Sequence, residues 1–182
     1  MRIKIKKYGN WRRVADAARM TVGKAPLTKE PSEEFKDKIL MAEHSPIRMI
    51  EFDIYLYDIP YFVAMHLVRH HIGCEKFVIT NREDRRPVKT EEVNRLTQVD
   101  MMISCNAQAL INISRKRLCC QASLETRKVW NAIKKAIAKK EPLIAKRMCR
   151  ECVYRGFCPE MNPCGFVDTE GYKKEMIEYF KK

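Results

Sequence analysis

The sequence predicts an α/β chain of the α+β kind: a small antiparallel sheet packed against long helices, with a Cys-rich C-terminal extension. Three observations carry this. Apolar and polar residues alternate over residues 2–7 and, in part, over 48–57, the two-residue period of a half-buried strand. From Asn106 to about Lys140 the pattern is helical, and the stretch contains neither Gly nor Pro. Beyond it, Cys149, Cys152, Cys158 and Cys164 cluster in a short segment.

Each element follows from local chemistry. Residues 2–7 form a first strand. Asn10 caps a helix running to about Met20, with Val14, Ala17 and Ala18 on one face. Gly23, Pro26 and Pro31 mark a loop. Ser32 opens a second helix carrying Phe35, Ile39 and Leu40, and His44-Ser45-Pro46 breaks it. Residues 48–57 place Phe52, Ile54 and Leu56 on one strand face. Asp58 and Pro60 then open a helix that ends at His71. Residues 72–89 read as a charged loop with a short extended piece, 91–98 as a short helix, and 101–104 as a strand. In the long helical stretch, Leu110, Ser114 and Leu118 share a face, as do Val129, Ile133 and Ile137; one helix and two abutting ones both fit. Pro142 marks the next break. Residues 169–181 form a last amphipathic helix with Tyr172, Met176 and Phe180 aligned.

The bulk numbers narrow the class. A chain of 182 residues with 46% apolar content suits one globular domain and a small appendage. No stretch reaches the roughly 18 apolar residues of a membrane span. The start, Met1-Arg2-Ile3-Lys4-Ile5-Lys6, has no secretory apolar core, so a cytoplasmic protein is expected. A net charge of +13 favours a phosphorylated or polyanionic partner, with nucleotides, cofactors and nucleic acid all eligible.

Arg69-His70-His71 places three cationic or potentially cationic groups directly after an apolar helical face. Such a triplet is either a solvated helix end or an anion site. The four clustered cysteines have the short C-x2-C spacing of a tetrahedral thiolate centre, with structural Zn²⁺ first and [4Fe–4S] second; a metal-free reduced tail is the alternative. Cys119 and Cys120 are adjacent, point different ways on a helix, and read as packing.

Five segments in order resemble one family. Val14 to Thr21 is similar to a helix end of the form A-A-R-x-S/T. His44-Ser45-Pro46, with Phe52 beyond, is similar to a T/S-P-F turn and strand. Pro60 to His71 resembles a helix ending in R-H-R. Asn106-Ala107-Gln108-Ala109-Leu110 with Asn112 and Arg117 resembles N-A-R-x-L…N-x-x-x-x-R, and Ala122, Glu125 and Arg127 continue it as A-Q-x-E-I-R. The family is flavin-dependent thymidylate synthase. The resemblance covers most of residues 14–130, and Cys158-Pro159-Glu160…Cys164-Gly165 is similar to the tail of some bacterial members. It divides the chain into a synthase-like domain, 1–145, and a Cys-rich tail with a terminal helix, 146–182.

The resemblance implies a homotetramer that binds FAD between subunits and methylates C5 of a pyrimidine deoxynucleotide, by default dUMP to dTMP. Methylenetetrahydrofolate supplies the carbon and NADPH the reducing equivalents. It implies that Arg117 polarises the pyrimidine, and that Thr21, Ser45, Arg69, His70, His71, Asn106 and Asn112 contact flavin. It places His66, Thr80 and Arg82 at the nucleotide, the last two as a hydroxyl–arginine pair suited to phosphate. The chain departs from the family at several points. His71 replaces an arginine, His66 a glutamine and Gln108 an arginine; the stretch from Arg86 to Met101 stands for a much longer helical insert, with Arg95 a poor match to its phosphate-binding arginine. Two other readings follow: the same flavin chemistry on another pyrimidine, such as hydroxymethyl transfer, or a non-catalytic basic nucleic-acid-binding protein on the same fold.

Overall fold

The computed structural model describes residues 1–87 and 89–181, and the backbone but not the side chain of Thr90. Strand β1 (Arg2–Tyr8) leads through Gly9 to α1 (Trp11–Met20). Gly9 adopts φ +74°, and a Cβ there would stand 2.1 Å from the Met49 carbonyl oxygen, so only glycine fits this crossing. Asn10 caps α1 by accepting from the Arg13 amide at 2.9 Å, and Ser32 caps α2 (Glu33–Met41) through the Phe35 amide at 3.2 Å. A 3₁₀ turn, Ser45–Met49, then delivers β2 (Glu51–Pro60).

Helix α3 is short, Tyr61–Leu67. Its first amides donate to the carbonyls of Thr97 and Arg95, at 2.8 and 3.1 Å. Arg69, His70 and His71 therefore lie beyond the helix, in the turn leading to β3 (Cys74–Val78). The short helix expected over 91–98 is only a 3₁₀ turn at Thr90–Glu92. Strand β4 (Gln98–Asn106) is twice the predicted length, because it lies in the sheet interior and pairs on both sides.

The sheet is antiparallel throughout, in the order β1-β2-β4-β3. Phe52, Ile54 and Leu56 pair with Cys105, Ile103 and Met101 and are buried beneath the helices. The other face carries Tyr55 and Tyr57, with Arg2 stacked 4.3 Å above the Tyr57 ring.

The long helical stretch is two helices, α4 (Ala107–Arg117) and α5 (Leu124–Ala138). Ser123 splits them without Gly or Pro, because its hydroxyl caps the Thr126 amide at 3.3 Å and bonds the Thr126 hydroxyl at 2.9 Å. Buried Trp130 donates to Ser114 at 2.8 Å, locking α5 onto α4. Three short segments finish the chain: α6 (Pro142–Arg147), α7 (Glu151–Arg155) and α8 (Glu170–Phe180). In α8 the buried residue is Tyr179, while Phe180 of the expected stripe faces outward. The main core runs through Met148; Cys149, Cys152, Val153 and Tyr179 form a smaller second core. Among the described residues no helix is long and apolar enough to cross a membrane.

Candidate functional site

The turn after α3 is built by Gly73. Its φ is +67°, and a Cβ would fall 2.6 Å from the Asn106 side-chain nitrogen, so the missing side chain is the space that Asn106 fills. The Asn106 amide donates to the Gly73 carbonyl at 3.1 Å, while its side-chain oxygen caps α4 through Ala109 at 2.9 Å. One asparagine thus fastens the Arg69-His70-His71 turn to the start of α4.

The end of α4 returns to the same turn. Arg117 Nε donates to His70 Nε2 at 2.8 Å, and its Nη2 donates to the His66 carbonyl at 2.7 Å. Two of the five guanidinium donors are therefore fixed, which holds the plane of the group while the others stay available. His66 Nδ1 lies 2.9 Å from the buried Thr126 hydroxyl, tying α3 to the start of α5. Arg95, dismissed by spacing alone, stacks 5.0 Å from the Phe62 ring, and Phe62 packs edge-on against His66. The backbone bond between Phe62 and Arg95 puts it there, a long-range pairing that leaves no local sequence signal.

The electrostatics of this cluster have one sign. Burial, then the charges of Arg117, Lys76 and His71, hold the His70 imidazole down at about 4. His70 is thus neutral near pH 7, and its Nε2 accepts the Arg117 proton. Burial, then Arg117, Arg69 and Arg95, also lower His66. Burial and then Arg69 lower Arg117 itself, which remains a cation. Among the described residues, none of Arg69, Arg95 and Arg117 has a carboxylate within ion-pair distance. A concentration of positive charge without counter-charge fits an anionic ligand.

The other expected residues lie apart from this cluster. Thr21 and Ser45 line a separate cleft of about 460 Å³ with Ala18, Phe35, Lys38 and Pro46, and no residue of the Arg117 cluster lines it. Thr21 also donates to the Ala18 carbonyl at 2.7 Å. Asn112 is exposed on α4, where its side-chain oxygen accepts from Gln108 at 3.3 Å and Arg115 at 3.2 Å; both of these also bond Glu43. Arg82 makes a two-pronged bond to Asp84, at 2.9 and 2.7 Å, while the Thr80 hydroxyl accepts from the Arg82 amide and its carbonyl from Arg86 Nη1 at 3.1 Å. Arg82 is therefore paired with a carboxylate and is not gathered with Arg117.

The expected thiol set also divides. Cys149 is buried in the second core, where burial pushes its thiol up to about 12, and it packs as a small apolar side chain. Cys152 belongs to the same second core, where burial pushes its thiol up to about 11, yet with Cys158 and Cys164 it also lines a small cavity shared with Cys119 and Cys120. Among the described residues, no three His, Cys, Asp or Glu side chains form a ready metal site.

No family model and no curated protein matches the chain. Solved structures match its fold. The flavin-dependent thymidylate synthase ThyX from Helicobacter pylori, in complex with FAD and dUMP, aligns with a TM-score of 0.67 at 12% identity, over 82% of this chain and 100% of that one. A second structure of Thymidylate Synthase X from Helicobacter pylori, also with FAD and dUMP, gives 0.66 at 12% identity, over 81% and 99%. At this identity the likeness shows a shared α/β fold.

Proposed function

We propose that this chain is an enzyme that binds FAD and a pyrimidine deoxynucleotide and methylates the pyrimidine at C5, with dUMP as the default substrate, methylenetetrahydrofolate as the carbon donor and NADPH as the reductant. The observation that carries the reading is Arg117, held in plane by His70 and the His66 carbonyl, among cations with no carboxylate partner. The fold shared with FAD- and dUMP-bound enzymes supports it.

The residues fit a flavin on two counts. Uncompensated charge at Arg69 and Arg117 suits a diphosphate or an electron-rich ring edge, and the Gly73–Asn106 contact holds the turn bearing Arg69 against α4. FAD, when bound and reduced, supplies hydride. Arg69, His70 and Asn106 orient it, and His71 donates to it when protonated. Thr21 and Ser45 belong to a separate cleft, so their share of the contacts, and that of Asn112, comes from a second copy in a homotetramer. Arg117 directs its remaining N–H donors at the pyrimidine carbonyl, where negative charge grows as C5 becomes nucleophilic. His70 keeps the guanidinium aligned by accepting from Nε, and stays neutral so that it does not repel it. His66 borders the nucleotide, and Arg95 supplies the phosphate contact; Arg82 reaches phosphate only by leaving Asp84.

Absorption spectroscopy of the purified protein tests the reading. Expected are a flavin spectrum, its perturbation by dUMP, and dTMP formation when the reduced protein receives methylenetetrahydrofolate. A C5-hydroxymethyl product would redirect the assignment to that chemistry. A protein without flavin affinity whose binding to DNA or RNA falls steeply with salt would replace it with a nucleic-acid module.

A further inference from the structure

We propose that Cys119, Cys152, Cys158 and Cys164 form a structural zinc site that fastens the tail loop to the end of α4, independently of any flavin chemistry.

Four observations converge on this set. First, these four thiols line one small cavity, and Cys149 does not. Second, Cys152 lies within electrostatic reach of Cys119 and Cys158, and Cys119 of Cys164; Cys149 also reaches Cys152 and Cys119 reaches Cys120, so it is the shared cavity that separates the set. Third, the remaining rim thiol, Cys120, is already engaged, because Arg150 Nη1 donates to its sulfur at 3.1 Å. Fourth, the backbone turns at two left-handed glycines beside these thiols: Gly156, at φ +80°, ends α7 between Cys152 and Cys158, and Gly165, at φ +75°, turns the chain just after Cys164.

The loop between those glycines has little else to hold it. Phe157, Met161 and Cys164 are exposed, and none of residues 157–164 makes a described backbone hydrogen bond outside regular elements. Its described anchors are the Gln121 side chain on the Asn162 carbonyl at 2.6 Å and Lys116 near Glu160 at 3.6 Å. A segment with so small an apolar core gains its order from a cross-link.

The space between the thiols is in keeping with a single ion. It measures about 10 Å³, about the room of one water or one small ion. A cubane of four irons and four sulfides needs far more. Four thiolates and no open position make a structural site, not a catalytic one. Binding forms four metal–sulfur bonds, releases four thiol protons to solvent and transfers no electron. Four thiols approach one cavity, and among the described residues no ligand geometry is preformed, so the metal itself draws them together.

The test is elemental analysis of the anaerobically purified full chain, with thiol titration, on the native protein and on Cys164→Ser, Cys119→Ser and Cys149→Ser. The exposure of Cys164 makes its variant the safest to fold. Expected is about one zinc per chain in the native protein and in Cys149→Ser, and at least a tenfold loss in Cys164→Ser and Cys119→Ser. Cobalt substitution should give tetrathiolate absorption in the native protein that is absent in Cys164→Ser. A native protein without zinc, whether its thiols titrate freely or are held as disulfides, would overturn the proposal. So would about four iron per chain, or zinc retained in Cys119→Ser and lost in Cys149→Ser.

Discussion

Arginines crowd two regions of this molecule in opposite company. Around α7, each is matched with a carboxylate: Arg147 with Asp37, Arg150 with Glu175, Arg155 with Glu151, and, nearby, Arg115 with Glu43. Around the turn after α3, the neighbours of Arg117 are Arg69, a neutral histidine and a carbonyl. The +13 net charge is therefore not spread evenly as a solvated coat. Among the matched cations Arg147 ties the tail to the body through Asp37, while Arg150 and Arg155 brace the tail internally and Arg115 the body; the unmatched ones raise the local potential at one spot. Composition cannot separate the two groups, because only the fold decides which cation meets a carboxylate.

The comparison breaks hardest at its buried, matched end. Arg147 is 1% exposed, donates to Asp37 at 2.5 Å, and lies 5.0 Å from the Tyr179 ring. Asp37→Ala should leave that guanidinium buried without a counter-charge, holding only the Tyr179 carbonyl, and take the carboxylate from Lys146 as well, at a cost of about 3–5 kcal/mol. Urea or thermal melts measure it, and a change within about 0.5 kcal/mol would mean that the pair is not structural. Arg117→Lys should act the other way, preserving the melt and the flavin spectrum while slowing turnover by about 10²–10³-fold. Lysine keeps the charge but cannot bond His70 and the His66 carbonyl while presenting a planar fork. Single-turnover oxidation of reduced flavin, with and without dUMP, reads this directly; an unchanged rate would remove Arg117 from the chemistry.

A smaller effect sharpens the unmatched side through pH. His70 titrates at about 4 in the folded chain, against about 6.5 unfolded. The unfolded chain thus binds the proton first as pH falls. The stability tied to neutral His70 is complete above about 6.5 and is lost as pH drops toward about 4. After discounting for solvent screening at this partly exposed group, the loss is about 1–2 kcal/mol. His70→Gln keeps an acceptor for Arg117 and removes the titration. Its melts between pH 7 and 4.5 should fall less than those of the native protein by about that amount, and parallel curves would refute the assignment.

Local chemistry makes two helix starts legible, Asn10 and Ser32, each capping a helix through its side-chain oxygen; the Ser123 cap that divides α4 from α5 sits inside an unbroken helical pattern and is seen only in the structure. The paired stripes of Val129, Ile133 and Ile137 are buried as their spacing predicts. What the sequence hides is long-range. Strand β4 runs past its apolar centre because both neighbours pair with it. The basic triplet resembles a helix end, yet α3 stops at Leu67, and the turn that follows packs Gly73 on Asn106 and sets His70 against Arg117. Arg95 and Cys119 look unremarkable in their own segments and gain partners only when distant strands and the tail close on them. Cys149 fits the thiolate spacing but faces the second core.

The smallest effect is the most discriminating. Arg69 is exposed, has no described carboxylate partner, and opposes the charge of Arg117 and the protonation of His66. Arg69→Ala should therefore leave stability within about 0.5 kcal/mol, or raise it slightly by relieving repulsion. The same substitution should weaken FAD binding on the order of fivefold, about 1 kcal/mol, since the charge it removes is one the ligand is expected to use. Melts and FAD titration on one variant then move in different directions, which no matched arginine around α7 can reproduce: there, loss of charge costs stability and leaves FAD affinity alone. A fall in the melt like that of Asp37→Ala, with FAD affinity intact, would place Arg69 among the structural cations and dissolve the distinction between the two regions.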